Sequence, residues 1–533
     1  MTAHGALETA PDRTGSRLDD WWIRTLSTPG RQRLWFWGGP LLVLLLAAVL
    51  RFWNIANPHT LVFDETFYVK DAWSLFNRGY ETAWPEGADE SFARGDTNIF
   101  HSNASYVVHP PFGKWLIGWG MALFGPASSL GWRFTVAIAG LVIVWLVMLI
   151  ARRLTGSTLI AVLTGGLIAI DGLAIQLSRV TLLDGILAAL TLTGVYLVLL
   201  DRLSAGQRLA RLLQKRNTAG TRPAWGPVLW WRPWLILAGL TFGVSSGVKW
   251  SGLYFLAAFC IYVVVMDALD RRRAGVELWA SSALLRTAPV TFLQTVPLAF
   301  AAYLSTWLGW ILNSGSYGRA WMDEHPDETW TGLFSWVPTW FQSLARCHGE
   351  IYNFHVGMST PHPYQANPLT WLFMIRPTSM YYEGSVAGEN GCGWETCSAA
   401  ISGLPNPLIW WAGTAAVLYL VYYVIRFRKW QPAFILMGML AGYVPWLLYL
   451  NRTVFQFYGV VYEPFMILSL GYVMWLILGK RSAPDYRRLN GIRTVAVFGI
   501  AAILLSIFFY PIWTGMQIPL TYWQMHMWLP SWV

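Results

Sequence analysis

The chain has 533 residues, 55% of them hydrophobic and only 12% charged, with 34 Trp and a formal net charge of +10. A charged share about half that of a soluble globular protein excludes an ordinary water-soluble enzyme and places most of the chain in lipid. The positive balance does not point to nucleic acid, because the basic residues recur in alternate loops rather than on one continuous surface.

The first 35 residues are polar and hold no apolar core, so no cleavable signal peptide is expected ahead of the first span. Eleven apolar stretches follow, near 36–53, 131–151, 157–176, 180–200, 233–248, 250–268, 287–312, 406–426, 431–450, 455–479 and 492–511. At 1.5 Å per residue, stretches of roughly 16 to 25 residues match a hydrocarbon core about 30 Å thick. With the N-terminus inside, the cytoplasmic segments hold Arg24, Arg31 and Arg33; Arg152 and Arg153; Arg202, Arg208, Arg211, Lys215, Arg216 and Arg222; Arg271, Arg272 and Arg273; Arg426, Arg428 and Lys429; and Lys480, Arg481, Arg487 and Arg488. The positive-inside rule is then met at every crossing. This gives a cytoplasmic tail 1–35, a transmembrane body 36–511 with two long outside loops (54–130 and 313–405), and an extracytoplasmic tail 512–533. No internal repeat of the kind common in secondary transporters is visible.

In the first outside loop, FDETFYVKDA (63–72) sets Asp64 and Glu65 at the start of a helix expected over 64–78. Burial beside Phe63, Phe67 and the membrane boundary raises a carboxyl pKa toward that of a general base; the competing reading is a helix N-cap. HPPFGKWLIGWG (109–120) carries His109 and Lys114 beside an interfacial helix over 112–124 with Trp115 and Trp119. A cation at that depth either meets a lipid phosphate or snorkels to headgroups.

Arg133, Asp171, Arg179, Asp184, Lys249, Arg452 and Glu463 fall in or at the ends of apolar spans. Each charge at membrane depth costs about 2.5 to 3.5 kcal/mol, so each reads either as part of a site or as half of a structural pair, for instance Arg179 with Asp184. The basic stretch RLARLLQKR (208–216) reads as a lipid-surface anchor.

In the second outside loop, HPYQANPLTWLFMIRPTSMYY (362–382) has aromatics and amides suited to stacking on sugars or holding an extended peptide. His325, His348, His355 and His362 lie in the same loop without the HExxH spacing of a zinc protease, so no metal site is read from them. Cys347, Cys392 and Cys397 also fall there, where oxidation is possible; Cys392 with Cys397 is the candidate bridge, and free thiols are the alternative.

Together with GWRF (131–134), SRVTLLDGILA (178–188), SSGVKWSGLY (245–254), NRTVFQFYGVVYEPF (451–465) and the tail YPIWTGMQIPLTYWQMHMWLPSW (510–532), these segments resemble the protein O-mannosyltransferase family in a bacterial, actinobacterial-type form. The resemblance implies an all-α polytopic membrane protein of the GT-C glycosyltransferase fold in the plasma membrane, with a polyprenyl-phosphate-mannose donor and Ser or Thr acceptors on exported proteins. It implies Asp64 and Glu65 as the catalytic acidic pair, Asp64 being the base. Donor phosphate or sugar contacts fall to Arg133, Lys249, Arg452, His109 and Lys114, with Arg133 and Arg452 as a guanidinium clamp. Acceptor contacts fall to His362, Tyr364, Gln365 and Trp371. No cofactor is called for; metal dependence and contact with the protein export channel stay open. The 313–405 loop is too short for the β-trefoil MIR domain of eukaryotic members, which leaves acceptor selection to that loop and the tail. The chemistry implied is inversion at the anomeric carbon with one base, since phosphate leaves without a general acid. Two rivals are a GT-C enzyme acting on lipid or polysaccharide, and a polytopic transporter.

Overall fold

The computed structural model describes residues 17–218, 224–480 and 483–533. Residues 1–16 of the N-terminal tail, Arg222, Arg481 and the side chain of Arg216 lie outside the described residues. All eleven apolar stretches fold as helices. Eight are long and apolar enough to cross a membrane; three are shorter, at Thr158–Ile170, Pro233–Ser246 and Glu463–Leu478. These helices make the protein a multi-pass membrane protein.

The short spans are broken at the end of the molecule that carries the two long loops. Asp171 leaves the helix after Ile170, and its carboxylate accepts from Leu173 N at 3.0 Å, starting a second helix, Gly172–Gln176. Glu463–Leu478 follows a 3-10 segment, Gln456–Val461. Irregular backbone at such depth is tolerated only where protein surrounds it, and Gln456, Phe457, Glu463 and Asp171 are all buried. Close packing elsewhere uses small residues: a Cβ on Gly239 would stand 2.8 Å from Thr295 Cα, and one on Gly243 2.2 Å from Ala299 O. Pro233–Ser246 thereby lies directly against Ala288–Thr306.

The loop end is a packed cap. Glu65–Arg78 and Phe112–Phe124 pack on each other, and the latter also on Ser129–Thr155. Phe112–Phe124 buries Lys114, Ile117 and Met121 and exposes Trp119 and Leu123, as an interfacial helix should. The second loop contributes the helix Thr339–Gly357, the 3-10 segment Pro368–Phe373 and a hairpin, β1 (Ser379–Val386) and β2 (Thr396–Ser402). The tail adds β3 (Gln517–Pro519), giving an antiparallel sheet in the order β1-β2-β3 with Glu383 opposite Ala399 and Ala399 opposite Gln517. The all-α expectation therefore needs this small sheet added. Cys392 and Cys397 are joined across the hairpin with Cα atoms 5.9 Å apart, so the bridge is formed and the free-thiol alternative is not. Arg376 fastens the tail to the loop, donating to the carbonyls of Pro363, Ser531 and Val533.

At the opposite, basic end, Arg232 bonds both Asp201 and Asp267, tying three helices together.

Candidate active site

The segment from 53 to 64, which ends at the acidic pair, has neither helix nor strand to hold it. Two buried guanidiniums do so instead. Arg133 uses all five of its N–H groups: Nε and Nη2 donate to the two Glu65 carboxylate oxygens at 2.9 Å, and Nη1 and Nη2 donate to the carbonyls of Ile55, Pro58 and Thr60 at 2.9–3.1 Å. Arg179 donates to the carbonyls of Arg51, Trp53 and Asn54. It does not pair with Asp184, because the carbonyls beside it take its donors.

Glu65 is fully buried and accepts, besides Arg133, the backbone N–H groups of Val62 and Thr181 at 3.0 and 2.8 Å. Its carboxylate is saturated. Asp64, one residue earlier, is half-buried and sits at the N-cap position of Glu65–Arg78 without making a side-chain capping bond. The capping reading is thus not realised, and the carboxylate stays uncommitted. Burial pushes its pKa up to about 6; Lys249 pulls it down and Asp184 pushes it up.

Lys249 and Asp184 form an ion pair of 2.7 Å, with the ammonium 5.2 Å from the centre of the Tyr458 ring. Both line a cleft with a cavity volume of about 150 Å³, whose walls include His109, Trp250, Tyr254, His355, Trp446, Arg452 and Tyr458. Asp64 does not line this cleft; it interacts with two residues that do.

Arg452 has no carboxylate partner among the described residues. One Nη2 bond of 3.0 Å goes to His355 Nδ1, its guanidinium faces Trp446, and its buried Nε has no partner. The imidazole roles follow from chemistry: arginine only donates, so Nδ1 is the acceptor, and Nε2 carries the proton it gives to Val108 O at 2.7 Å. Burial and Arg452 hold the His355 pKa down to about 4, so the ring is neutral. His109 stacks on His355 at 5.0 Å and is also held neutral, by burial first and then by the surrounding cations.

Several expected contacts are placed elsewhere. Arg133 has no N–H left for a phosphate. Lys114 is 1% exposed, 2.5 Å from Glu81 and 3.7 Å from Asp71, so it too is a structural partner and not a phosphate ligand. Trp371 is wholly buried, donating to Ala366 O, and cannot meet an acceptor. His362 packs edge-on against Phe455 and Phe63, the neighbour of Asp64, while Tyr364 lies under Arg376 and Gln365 is exposed. Sequence reasoning missed the Lys249–Asp184 pair and the support His355 gives Arg452; Asp184, Lys249 and Arg452 stood out as charges in or at the ends of apolar stretches, and His355 only as one of four histidines in the second loop. No group of three or more His, Cys, Asp or Glu among the described residues is arranged to hold a metal ion.

Comparison with known proteins agrees with this architecture. A family model described as "Dolichyl-phosphate-mannose-protein mannosyltransferase" matches residues 100–313, and one described as "C-terminal four TMM region of protein-O-mannosyltransferase" matches residues 340–532. The polyprenol-phosphate-mannose–protein mannosyltransferase of Mycolicibacterium smegmatis (strain MKD8) is 31% identical over 506 residues, 93% of each chain. That of Mycobacterium tuberculosis is 31% identical over 513 residues, 94% of this chain and 92% of the relative. Among solved structures, the Saccharomyces cerevisiae protein O-mannosyltransferase Pmt1-Pmt2 complex bound to the sugar donor superposes with a TM-score of 0.69 at 15% identity, covering 98% of this chain and 96% of that one, a likeness of fold. Identity above 30% along almost the full length of both chains decides the matter: the chain belongs to the protein O-mannosyltransferase family.

Proposed function

We propose that the chain transfers mannose from a polyprenyl-phosphate-mannose donor to Ser or Thr hydroxyls of exported proteins, with inversion at the anomeric carbon. The carrying observation is an uncapped carboxylate, Asp64, beside a cleft whose one unpaired cation is Arg452 among the described residues. In this reading the donor phosphate meets the free N–H groups of Arg452, and Lys249 divides its charge between Asp184 and the phosphate. Fixed donors of this kind stabilise the negative charge that grows as the phosphate departs. Asp64 takes the proton of the acceptor hydroxyl, which attacks from the face opposite the phosphate. Neutral His109 and His355 add no competing charge. Glu65 and Arg133 act on the base only by fixing the backbone that carries it.

The basic end of the molecule faces the cytoplasm of the plasma membrane and the loop end faces out. Acceptor segments approach over His362, Tyr364 and Gln365, of which His362 packs against Phe63, the neighbour of Asp64. The test uses the purified full chain in lipid nanodiscs with radiolabelled donor and a Ser/Thr peptide. Label on peptide hydroxyls in the anomeric form opposite to the donor's is expected. Label confined to lipid or glycan points to the lipid or polysaccharide enzyme, and solute flux without transfer points to a transporter.

A further inference from the structure

Two tyrosines beside Asp64 have hydroxyl groups that the fold leaves unused. Tyr68 follows Asp64 by one turn of Glu65–Arg78 and so shares its face. Its side chain is 9% exposed, and its ring stands 6.1 Å from that of His109; His109 lines the cleft, and Tyr68 sits behind it. Tyr458 comes from a distant part of the chain. It lines the cleft with its ring beneath the Lys249 ammonium, braced by Phe457 at 4.8 Å and Trp446 at 5.0 Å. The two phenols sense each other's surroundings: Tyr68 lies within electrostatic reach of Asp64, Asp184 and Tyr458, and Tyr458 of Asp184, Arg452 and Asp64.

Neither hydroxyl makes a hydrogen bond among the described residues, although Tyr303, Tyr443 and Tyr510 at the same end bond His348, Pro368 O and Leu50 O. Tyr262 and Tyr462 also lack partners, but their oxygens are sealed from any ligand; those of Tyr68 and Tyr458 are not. A phenol donates one bond and accepts others, which matches a sugar hydroxyl. Burial and the Asp64 charge keep Tyr68 protonated, so its donor is present throughout the working pH range.

We propose that the Tyr68 and Tyr458 hydroxyls grip ring hydroxyls of the donor's pyranose, holding the sugar between Asp64 and the phosphate cations and discriminating between hexoses. The inference rests on the proposed function and assigns the sugar-reading part of that site. Sites built to bond a hydroxyl reject the analogue that lacks it, because their own polar groups are then left unmatched.

The test pairs Tyr68→Phe and Tyr458→Phe with donors carrying mannose or its 2-, 3-, 4- or 6-deoxy forms. Each variant should lose about tenfold to a hundredfold in kcat/KM on mannose. On the one deoxy donor lacking its partner hydroxyl, variant and parent should be equal, the signature of a closed double-change cycle. Inhibition by unglycosylated polyprenyl phosphate should be unchanged, which separates sugar contact from a general structural defect. Should a variant fail to fold, the parent alone still decides: removal of at least two ring hydroxyls must each cost tenfold or more. A flat deoxy series, or losses equal on every donor, overturns the assignment. A parent that transfers no mannose at all defeats the proposed function instead.

Discussion

Two charged regions lie side by side at the loop end, and they differ in what remains unbonded. In the anchor region, Glu65, Arg133, Arg179 and Lys114 are buried and each has its partners within the protein. In the cleft region, Asp64 makes no capping bond, Arg452 has a bare Nε, and Tyr68 and Tyr458 have idle hydroxyls. Both regions hold a carboxylate and a guanidinium. Saturated charges hold shape, whereas unsaturated ones wait for a substrate, and adjacency in sequence, as with Asp64 and Glu65, does not imply a shared role.

Removing the base gives the sharpest contrast. Asp64→Asn should lower the transfer rate by about a hundredfold to ten-thousandfold with little change in thermal stability, read by single-turnover transfer beside a melting curve. Near-normal turnover at equal protein level defeats the assignment. Arg133→Ala should behave oppositely: leaving Glu65 buried and unpaired costs about 3 to 5 kcal/mol of stability, visible as a lowered melting temperature with or without donor. A variant with normal melting but weakened donor affinity would return Arg133 to the phosphate. Arg452→Ala should weaken donor binding by about tenfold to a hundredfold and leave melting nearly unchanged, as expected for loss of a charge-assisted bond to ligand alone. The gentlest probe is pH. Asp64 has its pKa raised to about 6 and must be ionised to accept a proton, so kcat/KM should be flat above that pH and fall tenfold per unit below it. Lys249→Met removes the cation that favours the carboxylate, so the acid limb should move to higher pH; a limb that stays fixed separates Lys249 from the base.

Much of this was legible in the sequence, for reasons that differ by residue. Lipid forces long apolar runs, so every span could be located, although the helices at Leu183–Thr218 and Asp485–Thr514 run well past the apolar stretches expected over 180–200 and 492–511, and FDETFYVKDA exposed the acidic pair. Which cations are free was not legible, because Lys114 reads the same whether it snorkels or meets Glu81 and Asp71, and that choice is made by chain segments more than thirty residues apart in the case of Glu81. Trp371 sits in a motif rich in exposed aromatics, and nothing local distinguishes it as the one that fills the core. The sheet escaped notice because β1 lacks regular alternation of exposed and buried residues and β3 lies over a hundred residues downstream.

The carbonyls of residues 51–60 that point at Arg133 and Arg179 give a stretch without regular structure the rigidity of a strut. A base mounted on a strut needs no closing motion to reach its working position. Any rearrangement that accompanies substrate entry then belongs to other cleft-lining side chains, of which Tyr352 and Val356 are exposed. Under the proposed function, the fixed segment would hold the Asp64 carboxylate in place while exposed side chains around the cleft adjust to varied protein acceptors.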